Sequence, residues 1–247
     1  MTSFFGVPVD VVYRLVSGLT GVLTPVLGGV AAVAAIVVFT MAVRAILMPL
    51  SFRAMRGQAV QARLAPELQA LQKRYAKQPE RLQREMTALY KREGTSLFAG
   101  ITPLLLQWPL LSVVYILFRS PRVAGKPNLL LRHDLLGVPL GMHWLRGTGV
   151  VSLHGLVFLG VFALLAGLCW LSARLGRLMT AQVAAAPAPG GARALIRVLP
   201  YLTVVIAAFA PLAAGVYLVV STAWSLAERA FFWRSRHEQS PQQPDRR

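Results

Sequence analysis

Residues 38–50 read Val-Phe-Thr-Met-Ala-Val-Arg-Ala-Ile-Leu-Met-Pro-Leu ("VFTMAVRAILMPL"), an apolar run with a single arginine, Arg44, near its middle. A charged side chain at the centre of a membrane helix costs about 2.5–3.5 kcal/mol on insertion-based scales. Thr40 stands four residues earlier and therefore shares a helix face with Arg44. Two readings follow. If other polar positions converge on that face, Arg44 sits in a hydrated cavity. Otherwise it snorkels, because Leu50 is only about 9 Å further along a helix and the arginine stem can reach headgroups there.

The rest of the chain supports a membrane setting for this run. Of 247 residues, 55% are hydrophobic and only 14% charged, with a mean hydropathy of +0.56, values outside the range of ordinary soluble domains. A single cysteine, Cys169, excludes an intramolecular disulfide. The four histidines, His133, His143, His154 and His237, lack zinc-type spacing, and no nucleotide-binding P-loop is present. No metal or cofactor is expected.

A spanning helix needs about 20 mostly apolar residues. Residues 29–50, 98–118 and 150–171 each meet that requirement. The run 198–227 is too long for one span, and Pro211, followed by Ala213, Ala214 and Gly215, divides it into spans at 195–210 and 212–231. The predicted fold class is thus an all-α polytopic membrane protein with five transmembrane helices. Residues 1–28 precede them as an extracellular segment. Within it, an interfacial amphipathic helix is expected over 4–24, with Phe4, Phe5, Val11, Val12, Leu15, Leu19 and Leu23 toward the membrane.

Orientation follows from the basic residues. Ten Lys and Arg fall in 51–94, five in 119–149, four in 172–197 and four after the last span. The positive-inside rule then puts the N-terminus outside and the C-terminus in the cytoplasm of a multi-pass plasma-membrane protein. The net charge of +17 is read as topological, and DNA is not an expected partner. Residues 234–247 are polar and read as a disordered cytoplasmic tail.

Between the first two spans, residues 51–94 carry two helical stripes. Leu64, Leu68, Leu71 and Tyr75 repeat at intervals of 4, 3 and 4, and Leu82, Met86 and Leu89 at 4 and 3. "KQPER" separates them, with Pro79 and Glu80 suited to the first turn of a second helix. A cytoplasmic helical hairpin is predicted, with its turn at 77–79 and its two stripes facing each other.

Other polar residues interrupt the spans. Gln107 lies between Pro103 and Pro109, and Tyr217 and Ser221 form a second i, i+4 pair in the last span. No Asp or Glu occurs in the first four spans, and Glu228 is near the inner end of the fifth. Ion-coupled transporters rely on carboxylates at mid-depth, so their absence disfavours the alternative class, a small membrane transporter or channel. His133, Asp134 and His143 are read as parts of an ordered outer loop, not as acid–base machinery.

Taken together, "TMAVRAILMPL", "ELQALQKRY", "QPERLQREMTALYKREG", "AGITPLLLQWPLLSVVY" and "APLAAGVYLVVST" resemble, in order and spacing, the YidC/Oxa/Alb insertases in their Gram-positive form. The outer "RHDLLGVPL" is also similar to that family's extracellular loop. The resemblance implies a five-helix core over 29–233 that inserts and helps fold nascent membrane proteins without enzymatic chemistry. Its groove would open to cytoplasm and lipid and be closed outside. The implied groove residues are Arg44, Thr40, Gln107 and Tyr217, to which the spacing argument adds Ser221. Implied partners are nascent clients and membrane lipids, with the ribosome and the Sec translocon as further candidates. Three positions depart from the family pattern: Ser96-Leu97 before the second span, Ala213 after Pro211, and Thr222 in the last span.

Overall fold

The computed structural model describes residues 6–94, 112–123, 125–146, 152–180 and 201–238. Phe4 and Phe5, most of the 98–118 span with Gln107, residues 195–200 and the tail beyond 238 lie outside the described residues.

Helix α1 (Gly6–Leu27) and helix α2 (Ala31–Arg74) are joined by one 3-10 turn, Gly28–Val30. Gly28 has φ +53, the left-handed region that a residue without Cβ enters freely. The two helices pack on each other. Ala31, Ala32 and Ala35 are fully covered, and Val9, Val16 and Thr20 are the buried positions of α1. The expected membrane face of α1 is divided. Val12, Leu19 and Leu23 pack on the protein core, whereas Val7, Val11, Leu15, Val22 and Val26 form an uncovered apolar stripe. Helix α1 is therefore apolar on two sides, and its inner side is claimed by α2.

Helix α2 does not stop at Leu50, where the span was expected to end. It runs through Pro49 and Pro66 for 44 residues, about 66 Å, more than twice the hydrocarbon thickness of a bilayer. Its second half meets helix α3 (Pro79–Arg92). The link comprises residues 75–78 instead of 77–79: α2 ends at Arg74, and Pro79 is itself the first helical residue. There its missing N–H costs nothing and its fixed φ is already helical. Gln78 N donates to Tyr75 O at 2.9 Å and closes the turn.

Helices α2 and α3 run antiparallel, as two cross-pairs show. Arg63 Nη2 meets Glu93 Oε2 at 2.6 Å, and Arg92 Nη2 meets Glu67 Oε2 at 3.3 Å. Between them, Leu64, Leu89 and Tyr90 are buried, with Val60, Leu68, Leu71 and Met86 packed around them. Leu82, nearer the turn, stands outside this cluster. A cavity of about 360 Å3 remains between Ala70 and Leu71 on one side and Ala88 and Leu89 on the other. The packing is narrow, and the exposed ion pairs add little, about 0–1 kcal/mol each.

Helix α4 (112–119) leads into a compact cap. Strands β1 (Arg122–Val123) and β2 (Lys126–Pro127) pair antiparallel, as do β3 (Asp134–Leu135) and β4 (Val138–Pro139). The β3–β4 turn has positive φ at Leu136 and Gly137, the two-residue geometry that matches strand twist. Asn128 holds the cap to α4. Its Nδ2 donates to Leu117 O at 2.7 Å and Ser120 O at 3.1 Å, and its Oδ1 accepts from Leu130 N at 3.2 Å.

Helix α5 (Leu153–Thr180) starts at Ser152, whose Oγ accepts from Gly155 N at 3.1 Å, an N-cap bond. Helices α6 (Leu202–Phe209) and α7 (Leu212–Glu238) meet at Ala210 and Pro211. The cap satisfies the first amides of α7: Leu212 N donates to Met142 O at 2.9 Å and Ala213 N to Leu140 O at 3.0 Å. These are N-terminal groups that the helix itself cannot pair. Helix α7 continues to Glu238, so residues 234–238, expected in a disordered tail, are helical. No Gly or Pro intervenes before Pro241, and Ser235 Oγ bonds back to Phe231 O at 3.0 Å.

The main core joins α1, α2, α4, the cap, α5, α6 and α7. Among the described residues, two helical stretches, Gly6–Gly57 and His154–Gly176, are long and apolar enough to cross a membrane. Their most apolar windows are only 28% and 17% buried within the protein. Such uncovered apolar length requires an apolar surrounding.

Candidate functional site

The site forms where α2 and α7 lie side by side. Arg44 Nη2 donates to Ser221 Oγ and, at 3.4 Å, to Ser221 O. Eight residues further along α2, the Phe52 ring lies against those of Phe231 and Phe232, tilted to both, with ring centroids 6.1 and 6.2 Å away. Both contacts advance in the same direction, so the helices are parallel, and both start at the cap. Close approach is helped on the other side of α7, where Gly215 faces Val161 of α5. A Cβ at Gly215 would lie 3.3 Å from Val161 Cγ1.

Arg44 is 8% exposed and Ser221 0%. The guanidinium is thus covered by protein within the apolar first part of α2. This geometry differs from simple snorkelling, in which the head would lie along the helix surface toward an interface. Thr40, 1% exposed, turns its hydroxyl inward and donates to Ile36 O at 2.7 Å. It lines the same α2 face one turn nearer the cap, but uses its proton within its own helix. Tyr217 is equally buried, one turn before Ser221. Arg44 Nε and the Tyr217 hydroxyl have no hydrogen-bond partner among the described residues. Such groups cost about 1–3 kcal/mol each when left dry, which favours water or a visiting polar group at this position.

Of the expected groove residues, Thr40, Arg44, Tyr217 and Ser221 are brought to one α2–α7 seam, while Gln107 lies outside the described residues. Helical spacing reveals the two i, i+4 pairs but not the direct bond from Arg44 to Ser221. Glu228, noted from the sequence only for its place near the inner end of the fifth span, is 7% exposed and accepts from Trp224 Nε1 at 2.8 Å. A lone carboxylate near a helix end has no periodicity to distinguish it from an ordinary surface residue. No group of three or more His, Cys, Asp or Glu is arranged to hold a metal among the described residues.

A family model described as "60Kd inner membrane protein" matches residues 22–239. The chain belongs to the 60Kd inner membrane protein family. The match begins in α1 and includes both partners of the Arg44–Ser221 contact, the cap and the α2–α3 pair. Among members of the 60Kd inner membrane protein family, the chain is similar to proteins named membrane protein insertase YidC. One, from Clostridium tetani, is 40% identical over 113 residues, 46% of this chain and 51% of that protein. Another, from Helicobacter pylori, is 36% identical over 102 residues, 41% of this chain and 19% of that protein. A third, from Clostridium perfringens, is 39% identical over 90 residues, 36% of this chain and 38% of that protein. The chain thus spans about half or less of the curated relatives it matches.

Proposed function

We propose that this protein is a membrane protein insertase and chaperone, which passes nascent integral membrane proteins into the bilayer through a hydrated groove between α2 and α7. The observation that carries the reading is the buried Arg44 guanidinium, bonded to Ser221 across two helices and retaining an unpartnered Nε. The names of the relatives point the same way.

In this reading, five spans, at about 29–50, 98–118, 150–171, 195–210 and 212–231, form the core over 29–233. The cap lies outside, α2 and α3 form a cytoplasmic hairpin over 51–94, and residues 1–28 lie at the outer interface. The C-terminal tail would be cytoplasmic. A common cap at the starts of α2, α5 and α7 supports this arrangement, since all three then descend from the same side.

Insertion of a client is downhill overall. Twenty apolar residues at about −0.3 to −0.6 kcal/mol each favour the bilayer by roughly 6–12 kcal/mol. The barrier is the polar flank that must cross. Arg44, with the hydroxyls of Ser221 and Tyr217, offers that flank a polar foothold partway through, and the positive potential favours acidic flanks. The uncovered apolar faces of α5 and α6 give the client helix a surface to follow, with Trp170, Leu171, Val205 and Phe209 exposed on them. No cofactor or bond-making step is required, so the role is not enzymatic. Clients and lipids are the primary partners, and the basic cytoplasmic segments suit contact with the ribosome or the Sec translocon.

Purified protein reconstituted in liposomes should insert a single-span client well above protein-free vesicles. Insertion no better than in empty vesicles would contradict the proposal.

A further inference from the structure

We propose that Glu228 is a client-binding residue at the inner end of the groove, which takes a lysine or arginine from the client flank that stays on the cytoplasmic side. The inference rests on the insertase reading above and adds to it a binding residue with opposite charge to Arg44.

Glu228 lies seven residues beyond Ser221 on α7. Two helical turns return to nearly the same face, so it follows the Arg44–Ser221 contact along the α2–α7 seam, about 10 Å further from the cap. It is more than nine-tenths covered. One oxygen, Oε1, accepts from Trp224 Nε1. The other has no hydrogen-bond partner among the described residues, yet it is not among the fully enclosed unpaired atoms. It therefore remains open to a visitor. Arg229, next in sequence, forms no ion pair with Glu228 within 4.0 Å.

A carboxylate is an expensive choice for an internal brace. Burial of an unpaired charge is costly, whereas a glutamine would accept the same Trp224 bond without that cost. The charge acquires a purpose if a cation arrives. Arg44 and Glu228 then form two stations of opposite sign along one seam, the cation deeper and the anion nearer the mouth. A client with an acidic leading flank and a basic trailing flank matches both. Such a pair of stations would impose orientation as well as assist transfer.

The test uses the full-length protein in phosphatidylcholine vesicles, whose lipids carry no net charge to attract a basic flank. Two single-span clients differ only in the retained flank, with three lysines in one and three glutamines in the other. The reading is the ratio of their insertion yields within each variant, so a partial loss of folded protein cancels. Wild type should favour the lysine flank. Glu228→Gln keeps the Trp224 bond and should lower the ratio roughly tenfold, the scale of one charge-assisted hydrogen bond. Glu228→Lys should bring the ratio below one. A ratio within twofold of wild type in Glu228→Gln would overturn the inference and leave Glu228 as an acceptor for Trp224 alone. A wild-type protein that inserts neither client would instead remove the insertase reading, and this inference with it.

Discussion

Removing the hydroxyl of Ser221 distinguishes a dry interhelical bond from a wet groove. In Ser221→Ala, Arg44 Nη2 loses its Oγ acceptor and keeps only the carbonyl contact at 3.4 Å, while Nε is already unpartnered. If the seam is dry, this deletes a hydrogen bond to a buried charge, worth about 1.5–3 kcal/mol. With about 2–4 °C of Tm per kcal/mol for a chain of this size, thermal unfolding should then fall by roughly 3–12 °C. If the seam is hydrated, water replaces the hydroxyl at little cost, and the shift should stay below about 2 °C. The groove account predicts the small shift. The assay is thermal unfolding of purified protein in detergent, with the variant and wild type in parallel. A loss of 5 °C or more would refute the hydrated groove and make Arg44–Ser221 a structural clamp.

Three further outcomes are expected. Leu64→Asp places a charge in the buried Leu64, Leu89 and Tyr90 cluster of the α2–α3 contact; it should leave the protein in the membrane but lower client insertion at least tenfold, and wild-type yield in liposomes would reduce α3 to a connector. Asn128→Ala removes two bonds that tie the cap to the end of α4 and one within the cap and should destabilise the protein by about 1–3 kcal/mol, seen as earlier thermal unfolding and faster proteolysis at 121–146; unchanged protection would show that the cap is held by its apolar contacts alone. In Arg44→Cys, the thiol should react with a membrane-impermeant reagent applied from the α3 side of the vesicle, and an unreactive thiol would argue against water in the seam.

The sequence was most informative where a physical cost was visible in a short window. Arg44 in an apolar run announces itself, and Thr40, Tyr217 and Ser221 follow from helical spacing. Pairing between α2 and α7 was less accessible, because their contact joins residues 177 positions apart and nothing local records it. The uninterrupted course of α2 past Leu50 was obscured by Pro49, which reads as a stop but is accommodated within the helix. Pro79 was read both as the last turn residue and as suited to the first turn of the second helix, and it occupies the helical position. The cap was read only as an ordered loop. Its strands have two residues each, too short for an alternating pattern, and its anchor is a single asparagine.

The central claim is that Arg44 acts on clients through its charge from within a hydrated groove. Insertion of an acidic-tailed single-span client by liposomes containing wild type, Arg44→Lys or Arg44→Ala tests it most directly. Arg44→Lys should retain much of the wild-type yield, and Arg44→Ala should lose roughly tenfold or more, with a smaller loss for a client whose tail is neutral. Equal insertion of the acidic-tailed client by Arg44→Ala and wild type would contradict the account.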